Sequence, residues 1–373
     1  MNSLDKYILR QCLAPLAMIL FVTTAIVWMT QILQRIDIIV EYGQGFGIFL
    51  FLSILIIPSL VAVIIPFALF GAAIFALYRF HSDSEIAVMF AAGVSRWRLS
   101  APILLITLVG AAATLYVNVD LMPRSYRVLK QSVADIRADF ASSLLRSGEF
   151  TTVVDGFTIY VDEARPGGQF VGLLIHDYRN GENPETYMAE RAILEDSENG
   201  PVMLLKRGNI QRVARYTGDV SFIRFDEWAM GLGSIKKTPG ELQLELTERY
   251  PGELLNPDMS KPYDRANGGK LIAEGHARFA SPLYAFAYVL TGLYAMIGGA
   301  YSRQEYFLRV TAAAAVVFGC RILGFVTQSL VETSGAYWLL YAIPGSVAAF
   351  FAVLLFSPFT QFRSHARSAA QGT

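Results

Sequence analysis

The sequence predicts an α-helical membrane protein with six transmembrane helices in a 3+3 arrangement and an inserted all-β, jellyroll-like domain. The observations behind this are long apolar runs that are uncharged apart from one arginine, basic residues concentrated in alternate short loops, and a central segment with period-two hydrophobicity. Hydrophobic residues make up 54% of the chain and charged residues 17%, which is too apolar for a soluble protein of 373 residues. We therefore expect a lipid bilayer as the solvent. The formal net charge of zero gives no electrostatic case for nucleic acid.

Six apolar runs each reach the roughly 20 residues that a helix needs to cross about 30 Å of hydrocarbon. They occupy residues 11–34, 48–78, 99–119, 279–302, 310–331 and 333–362. The second run is longer than one crossing requires and contains Pro58 and Pro66, so we expect one long, tilted and kinked helix. The first run lacks a following cleavage pattern and is interpreted as a retained anchor.

Basic residues in short loops predict the orientation, because such loops stay on the cytoplasmic side of the membrane. Six crossings place the following on one side: Lys6, Arg10, Arg79, Arg96, Arg98, Arg303, Arg309, Arg363 and Arg367. The other side receives the acidic Asp37, Glu41 and Glu332 together with the long central segment. The prediction is therefore an N-terminal transmembrane half (1–122), an external segment (123–278) and a C-terminal transmembrane half (279–373), with both termini cytoplasmic.

The external segment changes its hydrophobic period along its length. Residues 125–145 have apolar side chains at helical spacing and predict an amphipathic helix. Residues 149–237 alternate between apolar and polar side chains and are divided by closely spaced turn signals, which favours a sandwich or jelly roll. Residues 238–269 are rich in Pro, Gly and charge and predict an irregular connector with short helical turns.

The loop at residues 82–95 predicts a short helix between two crossings on the cytoplasmic face. Asp83 or Ser84 could cap this helix, Glu85 suits the positive end of its dipole, and Gly93 could end it. Such a helix is suited to insert into a groove of a partner protein. The alternative is an ordinary solvated loop, which would leave four apolar side chains facing water or headgroups: Ile86, Val88, Met89 and Phe90.

Residues 84–95 follow the pattern Ser-Glu-Ile-x-Val-Met-x-Ala-x-Gly-x-Ser, which resembles the coupling helix of the LptF/LptG permease family. The residues 7–10, 303–304 and 327–330 also resemble this family, and the likeness is strongest to its LptF branch. The order of three helices, a β domain and three helices resembles the family over the whole chain.

The resemblance implies a permease subunit, itself not an enzyme, of an ATP-driven exporter in the inner membrane of a Gram-negative bacterium. The exporter extracts lipopolysaccharide and passes it through the periplasmic jellyroll toward the outer membrane. The implied partners are an LptG-like sister permease, an LptB ATPase dimer, and the LptC and LptA bridge proteins. The resemblance also assigns ATPase coupling to six positions, with Glu85 meeting a basic residue of the ATPase: Glu85, Ile86, Val88, Met89, Gly93 and Ser95.

Two arginines are candidates for binding the lipid substrate. Arg35 lies at the outer end of the first helix, where it either anchors the helix end or binds the lipid headgroup, and the resemblance favours binding. Arg321 lies near the middle of the fifth crossing, so it must face protein or an internal cavity. It departs from the apolar residue of the family, and both a structural partner and substrate contact stay open.

The inward strand faces are candidates for an acyl-chain route, represented by Phe157, Ile159 and Val161. From the residues alone, a sealed sandwich core is the better interpretation. The resemblance reverses this preference, because the jellyroll of the family is open along a seam.

The sequence predicts no cofactor, metal or catalytic site. The stretch Gly268-Gly269-Lys270 lacks the upstream glycine and the Ser or Thr of a phosphate-binding loop, and the four histidines are scattered without ligand spacing. Three alternatives to the LptF prediction are the LptG-like sister, a secondary transporter and a membrane-anchored periplasmic module. An ATPase retained in detergent would favour the exporter subunits over the other two.

Overall fold

The computed structural model describes residues 3–33, 46–143, 148–154, 156–165, 169–179, 184–197, 200–213, 220–231, 244–298 and 305–357. The chain divides into two compact units. The helical unit comprises Met1–Leu129 and Leu244–Thr373, and the sheet unit comprises Lys130–Gln243.

The helices, in chain order, are α1 (Ser3–Leu33), α2 (Phe46–Ile54), α3 (Ile57–Ser82), α4 (Glu85–Ala91), α5 (Arg96–Tyr116), α6 (Met122–Ser143), α7 (Pro251–Leu255), α8 (Pro262–Ile297), α9 (Glu305–Ser334) and α10 (Leu339–Phe356). A π-helical turn, Val117–Leu121, joins α5 to α6. Among the described residues, six helical stretches are long and apolar enough to cross a membrane: α1, α3, α5 continuing into α6, α8, α9 and α10. The predicted six crossings are confirmed.

The expectation of one kinked helix over 48–78 is wrong. The helix breaks at residues 55–56, between α2 and α3. Pro58 lies in the first turn of α3, where its missing N–H removes no helical hydrogen bond. If α2 and α3 were one continuous helix, the proline ring would clash with a carbonyl of the preceding turn. The Ser53 carbonyl accepts hydrogen bonds from the Ile56 backbone N–H at 3.3 Å and from the Trp28 indole nitrogen at 3.0 Å. The break therefore leaves a hydrogen-bonded end to α2.

The predicted connector over 238–269 is helical for its last eight residues, because α8 already begins at Pro262. Non-helical backbone angles at Asn267 mark a kink just before the glycine pair. Gly269 packs against the end of α9 so closely that a Cβ there would lie 2.1 Å from the Glu332 carbonyl oxygen. The glycine pair therefore serves close helix packing and does not end the helix.

The core of the helical unit is built around α8. In its apolar window 72% of the residues are buried, against 6% in α1. Small residues on α3 and α8, such as Ala72, Ala76, Ala285 and Gly292, let these backbones approach closely, as is typical of membrane helix packing. The outermost helix is therefore α1, and α8 is the central one.

The sheet unit contains six antiparallel strands: β1 (Phe150–Val154), β2 (Phe157–Arg165), β3 (Gln169–Asp177), β4 (Glu185–Ser197), β5 (Gly200–Val213) and β6 (Val220–Gly231). Each strand pairs with its neighbour in the chain, so the order is β1-β2-β3-β4-β5-β6. The inserted all-β domain is confirmed, but its described strands form one sheet and lack the crossed connections of a jelly roll.

A crease crosses this sheet perpendicular to the strands. The ladder of paired residues is interrupted once in every strand from β2 to β6, at Asp162, Gly172, Glu190, Arg207 and Asp226. Two of these residues have positive φ, 63° at Gly172 and 49° at Arg207. Backbone of this kind bends a strand locally and re-aims its side chains.

At this crease the buried side chains switch between odd-numbered and even-numbered positions of strands β3 and β5. In β3, Leu173 and Ile175 lie on one side of Gly172, whereas Phe170 is the buried residue on the other. In β5 the buried residues change from Met203 and Leu205 to Ile210. Both halves of the sheet contribute to one apolar cluster. A single folded sheet therefore encloses the kind of core that two sheets enclose in a sandwich.

Candidate functional site

The loop between α3 and α5 holds the short helix α4. Ser84 precedes α4 in a left-handed conformation with φ of 59°, and Gly93 follows with φ of 82°. The Ser95 hydroxyl accepts a hydrogen bond from the Arg98 backbone N–H at 3.3 Å and caps α5. The expected side-chain cap of α4 by Ser84 is absent, because its backbone already turns the chain. Asp83 instead lies 3.9 Å from Arg79 on α3.

The apolar side chains of α4 point in different directions. Ile86 is only 3% exposed and belongs to the core of the helical unit, against which Met89 also packs. Val88 is 66% exposed, and Phe90 is exposed as well. The inner residues therefore hold α4 against its own chain. The opposite side is exposed, and we call it the α4 face (Val88 and Ala91).

Polar contacts connect this loop to α1. The Tyr7 hydroxyl donates a hydrogen bond to Glu85 Oε1 at 2.9 Å, across 78 positions of sequence. An Arg79 guanidinium nitrogen donates to Gln11 Oε1 at 3.2 Å. Asp5 and Leu9 of α1 also line a groove of about 640 Å³ with residues of α5 that include Trp97 and Arg98. The start of α1 is therefore attached to both ends of the loop.

A second contact connects the same loop to α9. His81, one residue before the end of α3, hydrogen-bonds the Tyr306 hydroxyl, and the two rings lie edge to face with centroids 4.0 Å apart. Both side chains are buried. Sequence reasoning missed this pair and also the bond between Tyr7 and Glu85, since no local pattern marks contacts between positions so far apart in the chain.

Arg321 lies on α9 against aromatic rings. Its guanidinium carbon is 4.4 Å from the Phe325 ring centroid and 5.2 Å from that of Tyr284. Its Nε atom is buried without a hydrogen-bond partner. No carboxylate in the described part of the chain forms an ion pair with it. The alternative of a structural ion pair within the chain is therefore not seen.

The three predicted acyl-chain residues on β2 lie in the apolar cluster of the sheet. Phe157, Ile159 and Val161 are all buried. Arg179 covers one end of this cluster, with its guanidinium carbon 4.6 Å from the Phe157 ring centroid. The same arginine hydrogen-bonds Asp177 at 2.6 Å and holds the pKa of that carboxyl below its usual range. Arg35, the other substrate candidate, lies outside the described residues.

A buried ionic cluster fastens the segment before α8. The Arg249 guanidinium donates two hydrogen bonds to the Asp264 carboxylate, at 2.7 and 2.5 Å, and this pairing raises the pKa of Arg249. Buried Arg278 donates to the backbone carbonyls of Arg249 and Leu246, at 2.8 and 2.7 Å. The sequence analysis assigned this charged segment to a connector. Its charges instead satisfy the carbonyls that the irregular backbone leaves without helical partners.

Comparison with known proteins gives a consistent result over most of the chain. The family model described as lipopolysaccharide export system permease LptF/LptG matches residues 6–358. An uncharacterized protein of Rickettsia prowazekii (strain Madrid E) is 26% identical over 332 residues, which cover 88% of this chain and 91% of that protein.

Relatives with a subunit name include the lipopolysaccharide export system permease protein LptF of Escherichia coli (strain K12) and that of Shigella flexneri. Each is 25% identical over 207 residues. This match covers 54% of the chain and 56% of each relative, so the chain spans about half the length of these LptF proteins.

Proposed function

The chain belongs to the LptF/LptG family of lipopolysaccharide export permeases, and from this premise we propose that it is the LptF-type transmembrane subunit of an ATP-driven exporter. In this proposal the chain extracts lipopolysaccharide from the inner membrane and passes it toward the outer membrane. It is not itself an enzyme, and ATP is hydrolysed by a separate LptB-type dimer. The LptF relatives support the choice of branch over the LptG-like alternative.

We propose an orientation with both termini and α4 in the cytoplasm and the sheet unit in the periplasm. An even number of crossings puts both termini on one side. The basic residues of the short loops, such as Arg79, Arg96 and Arg98, favour the cytoplasm for the side that carries α4. An ATPase at the cytoplasmic face would then reach the α4 face directly.

The observation that carries the proposal is the two-sided packing of α4. Ile86 fixes the helix to the core of its own chain, while Val88 and Ala91 form an exposed apolar surface on the opposite side, with Glu85 one turn from Val88. An apolar helix face with a charge at its edge fits a groove in a partner protein, where a basic group would give the contact its direction. Tyr7 occupies Oε1 of Glu85 and leaves Oε2 for that group.

In this mechanism, motion of the ATPase at α4 reaches α1 and α9. The bond from Tyr7 to Glu85 connects α4 to α1, and the contact between His81 and Tyr306 connects the same loop to α9. The apolar windows of α1 and α9 are only 6% and 28% buried, so both helices have faces available to the LptG-like sister permease. We propose that a lateral gate for the lipid lies between these helices and those of the sister.

The periplasmic step is proposed for the sheet unit. Among the described strands, β6 lies at one edge of the sheet, and it has exposed apolar side chains, among them Phe222, Ile223 and Trp228. An exposed edge of this kind can accept a strand from another protein. It could therefore receive an LptC-type or LptA-type bridge protein. The acyl chains would pass the cluster of Phe157, Ile159 and Val161 only if the folded sheet opens.

Charge reversal at Glu85 tests the proposal. We expect the Glu85→Lys complex to insert and to hydrolyse ATP, but to lose most of its ATP-dependent lipopolysaccharide release in proteoliposomes. The physical reason is that a lysine would repel the basic group of the ATPase and lose the bond from Tyr7.

Two matched variants make the test specific. Asp83→Lys reverses a neighbouring exposed carboxylate whose ion pair among the described residues is the 3.9 Å contact with Arg79, so we expect nearly full release. Tyr7→Phe removes the bond to Glu85 but keeps the carboxylate, so we expect a partial loss of release. Wild-type release from the Glu85→Lys complex would exclude Glu85 from the mechanism.

A further inference from the structure

Arg321 lies deep within the predicted span of α9. At 1.5 Å per residue it is about 24 Å from the start of the helix and about 20 Å from its end. A charged side chain that faces lipid at this depth costs several kcal/mol. Polar lipid headgroups lie near the ends of such a helix, so a phosphate is a poor match for this position. Protein or enclosed water must surround the guanidinium.

The neighbourhood of Arg321 contains polar hydrogens without acceptors. The buried Nε of Arg321 has no hydrogen-bond partner, and the same is true of the fully buried hydroxyl of Tyr288. Tyr284 lies between them, with its ring centroid 5.2 Å from the guanidinium and 5.8 Å from the Tyr288 ring. Aromatic faces stabilise a cation but accept no conventional hydrogen bond. Within the described residues, therefore, no group accepts a hydrogen bond from this Nε and no anion pairs with the guanidinium.

Beside this site the helix presents an open apolar surface. Phe318, Ile322 and Phe325 are each more than half exposed. We call these three residues the α9 face. Because Arg321 is only partly buried at the edge of this face, a group that packs on the face can reach the guanidinium. The open surface and the missing acceptor thus lie side by side.

We propose that the α9 face docks a transmembrane helix of the sister permease whose Asp or Glu carboxylate pairs with Arg321. A carboxylate supplies both the negative charge and the acceptor lone pairs, and it can accept two parallel bonds from a guanidinium. This inference rests on the proposed function, because it needs a second permease in the membrane. It adds an intersubunit ion pair at Arg321 as the determinant that positions the sister helix on α9.

Substitutions of Arg321 in the purified complex test the inference. The measurement is the amount of sister permease retained per mole of this chain after a detergent wash. Arg321→Leu leaves the carboxylate of the sister unpaired, so we expect at least about a tenfold loss of retained sister permease. Arg321→Lys keeps the charge and should retain most of it. Leu323→Ala, a change at an exposed α9 residue outside the α9 face that leaves the charge, is the control and should lose little.

A photoreactive residue at Ile322 gives a second measurement in an otherwise unchanged chain, so it does not depend on whether the arginine variants fold. We expect a crosslink to a sister helix at a position close to an Asp or Glu. A crosslink to lipopolysaccharide instead, or full retention of the sister permease by Arg321→Leu, would overturn the inference.

Failure of the proposed function has a different signature. If the wild-type chain retains neither an ATPase nor a second permease, the exporter assignment itself is wrong. If the wild-type complex is intact and Arg321→Leu retains the sister permease as well as wild type, only the ion pair is excluded.

Discussion

Arg249 is buried and Arg321 is partly buried within a predicted span, but only Arg249 has an anionic partner within the described residues. Its two hydrogen bonds to Asp264 compensate the loss of hydration, which is the usual condition for a buried charge. In the described part of the chain, the guanidinium of Arg321 lies against aromatic rings and forms no ion pair. A cation within a membrane span is costly without an anionic partner, and this contrast is why Arg321 carries the inference of an intersubunit partner.

Asp177 gives the sheet unit a predicted dependence on pH. Hydrogen bonds from Arg179 hold the pKa of this carboxyl below its usual range, although partial burial opposes the shift. The ionised form is therefore favoured in the folded state. This contribution to stability is present above the ordinary carboxyl pKa of about 4 and is lost as the pH falls through the lower folded value.

We predict that Asp177→Asn lowers the free energy of unfolding of the sheet unit by about 1 kcal/mol at pH 7. The difference from wild type should shrink steadily below about pH 4, where the wild-type carboxyl also becomes neutral. Urea titration of the full chain, followed by Trp228 fluorescence with Trp28, Trp97 and Trp338 replaced by Phe, measures this. A difference that stays constant down to pH 2 would show that the ionised carboxylate contributes nothing.

Site residues were predictable where the signal was local. Glu85 and the loop around it stand out in the sequence, because acidic and apolar residues are spaced there as on a capped helix. The direction of each side chain was not predictable: Ile86 packs inward and Val88 outward, and this depends on how α4 lies against the bundle. The partner of Glu85, Tyr7, is separated by 78 positions and has no pattern of its own.

At the scale of helices, hydropathy predicted how many segments cross the membrane but not where they begin and end. The uncharged run over 48–78 shows no polar residue at the break between α2 and α3, because the break follows from the backbone of Pro58. The start of α8 was missed for the opposite reason. Its first turns are polar and contain the glycine pair at 268–269, which usually indicates a loop.

Gly269 provides a test of helix packing. A Cβ at this position would lie 2.1 Å from the Glu332 carbonyl oxygen, so Gly269→Ala must push α8 and α9 apart at that end. We expect the free energy of unfolding to fall by about 1–3 kcal/mol. Thermal unfolding can be followed by the reaction of a fluorogenic maleimide with the buried Cys12 and Cys320.

The control for this experiment is Gly319→Ala on α9. An added Cβ at Gly319 has nothing within 4 Å, and alanine favours a helix more than glycine does. We expect this variant to be at least as stable as wild type. If both alanine variants unfold at the wild-type temperature, the close contact between Gly269 and Glu332 is not important for stability.

The sheet shows the same division between local and tertiary information. Period-two alternation in the sequence predicted the buried face of β2, with Phe157, Ile159 and Val161. It could not predict the crease, because the parity changes at Gly172 and Arg207 depend on positive φ angles that several residue types allow. Because the crease was not visible in the sequence, the alternation favoured a sandwich or jelly roll, whereas the described strands form one sheet.

At the scale of the whole molecule, the proposal requires that α4 and the sheet unit lie on opposite sides of the membrane. The α4 face would receive force from an ATPase, which acts where ATP is present, and β6 would meet proteins beyond the membrane. The six candidate spans are compatible with this arrangement, because one span, α5 continuing into α6, lies between α4 and the strands in the sequence. The side of each is a prediction from loop charges.

Single cysteines placed at two exposed positions test this arrangement in intact cells. Val88 on α4 and Phe222 on β6 are both about two-thirds exposed, so a thiol at either position can react. Cys12 and Cys320 are buried and can be replaced by Ala to remove any background. We expect a membrane-impermeant maleimide added outside the inner membrane to label Phe222→Cys at once and Val88→Cys only after the membrane is opened. If both label from the same side, this chain cannot pass motion from a cytoplasmic ATPase to a periplasmic sheet, and the exporter mechanism fails.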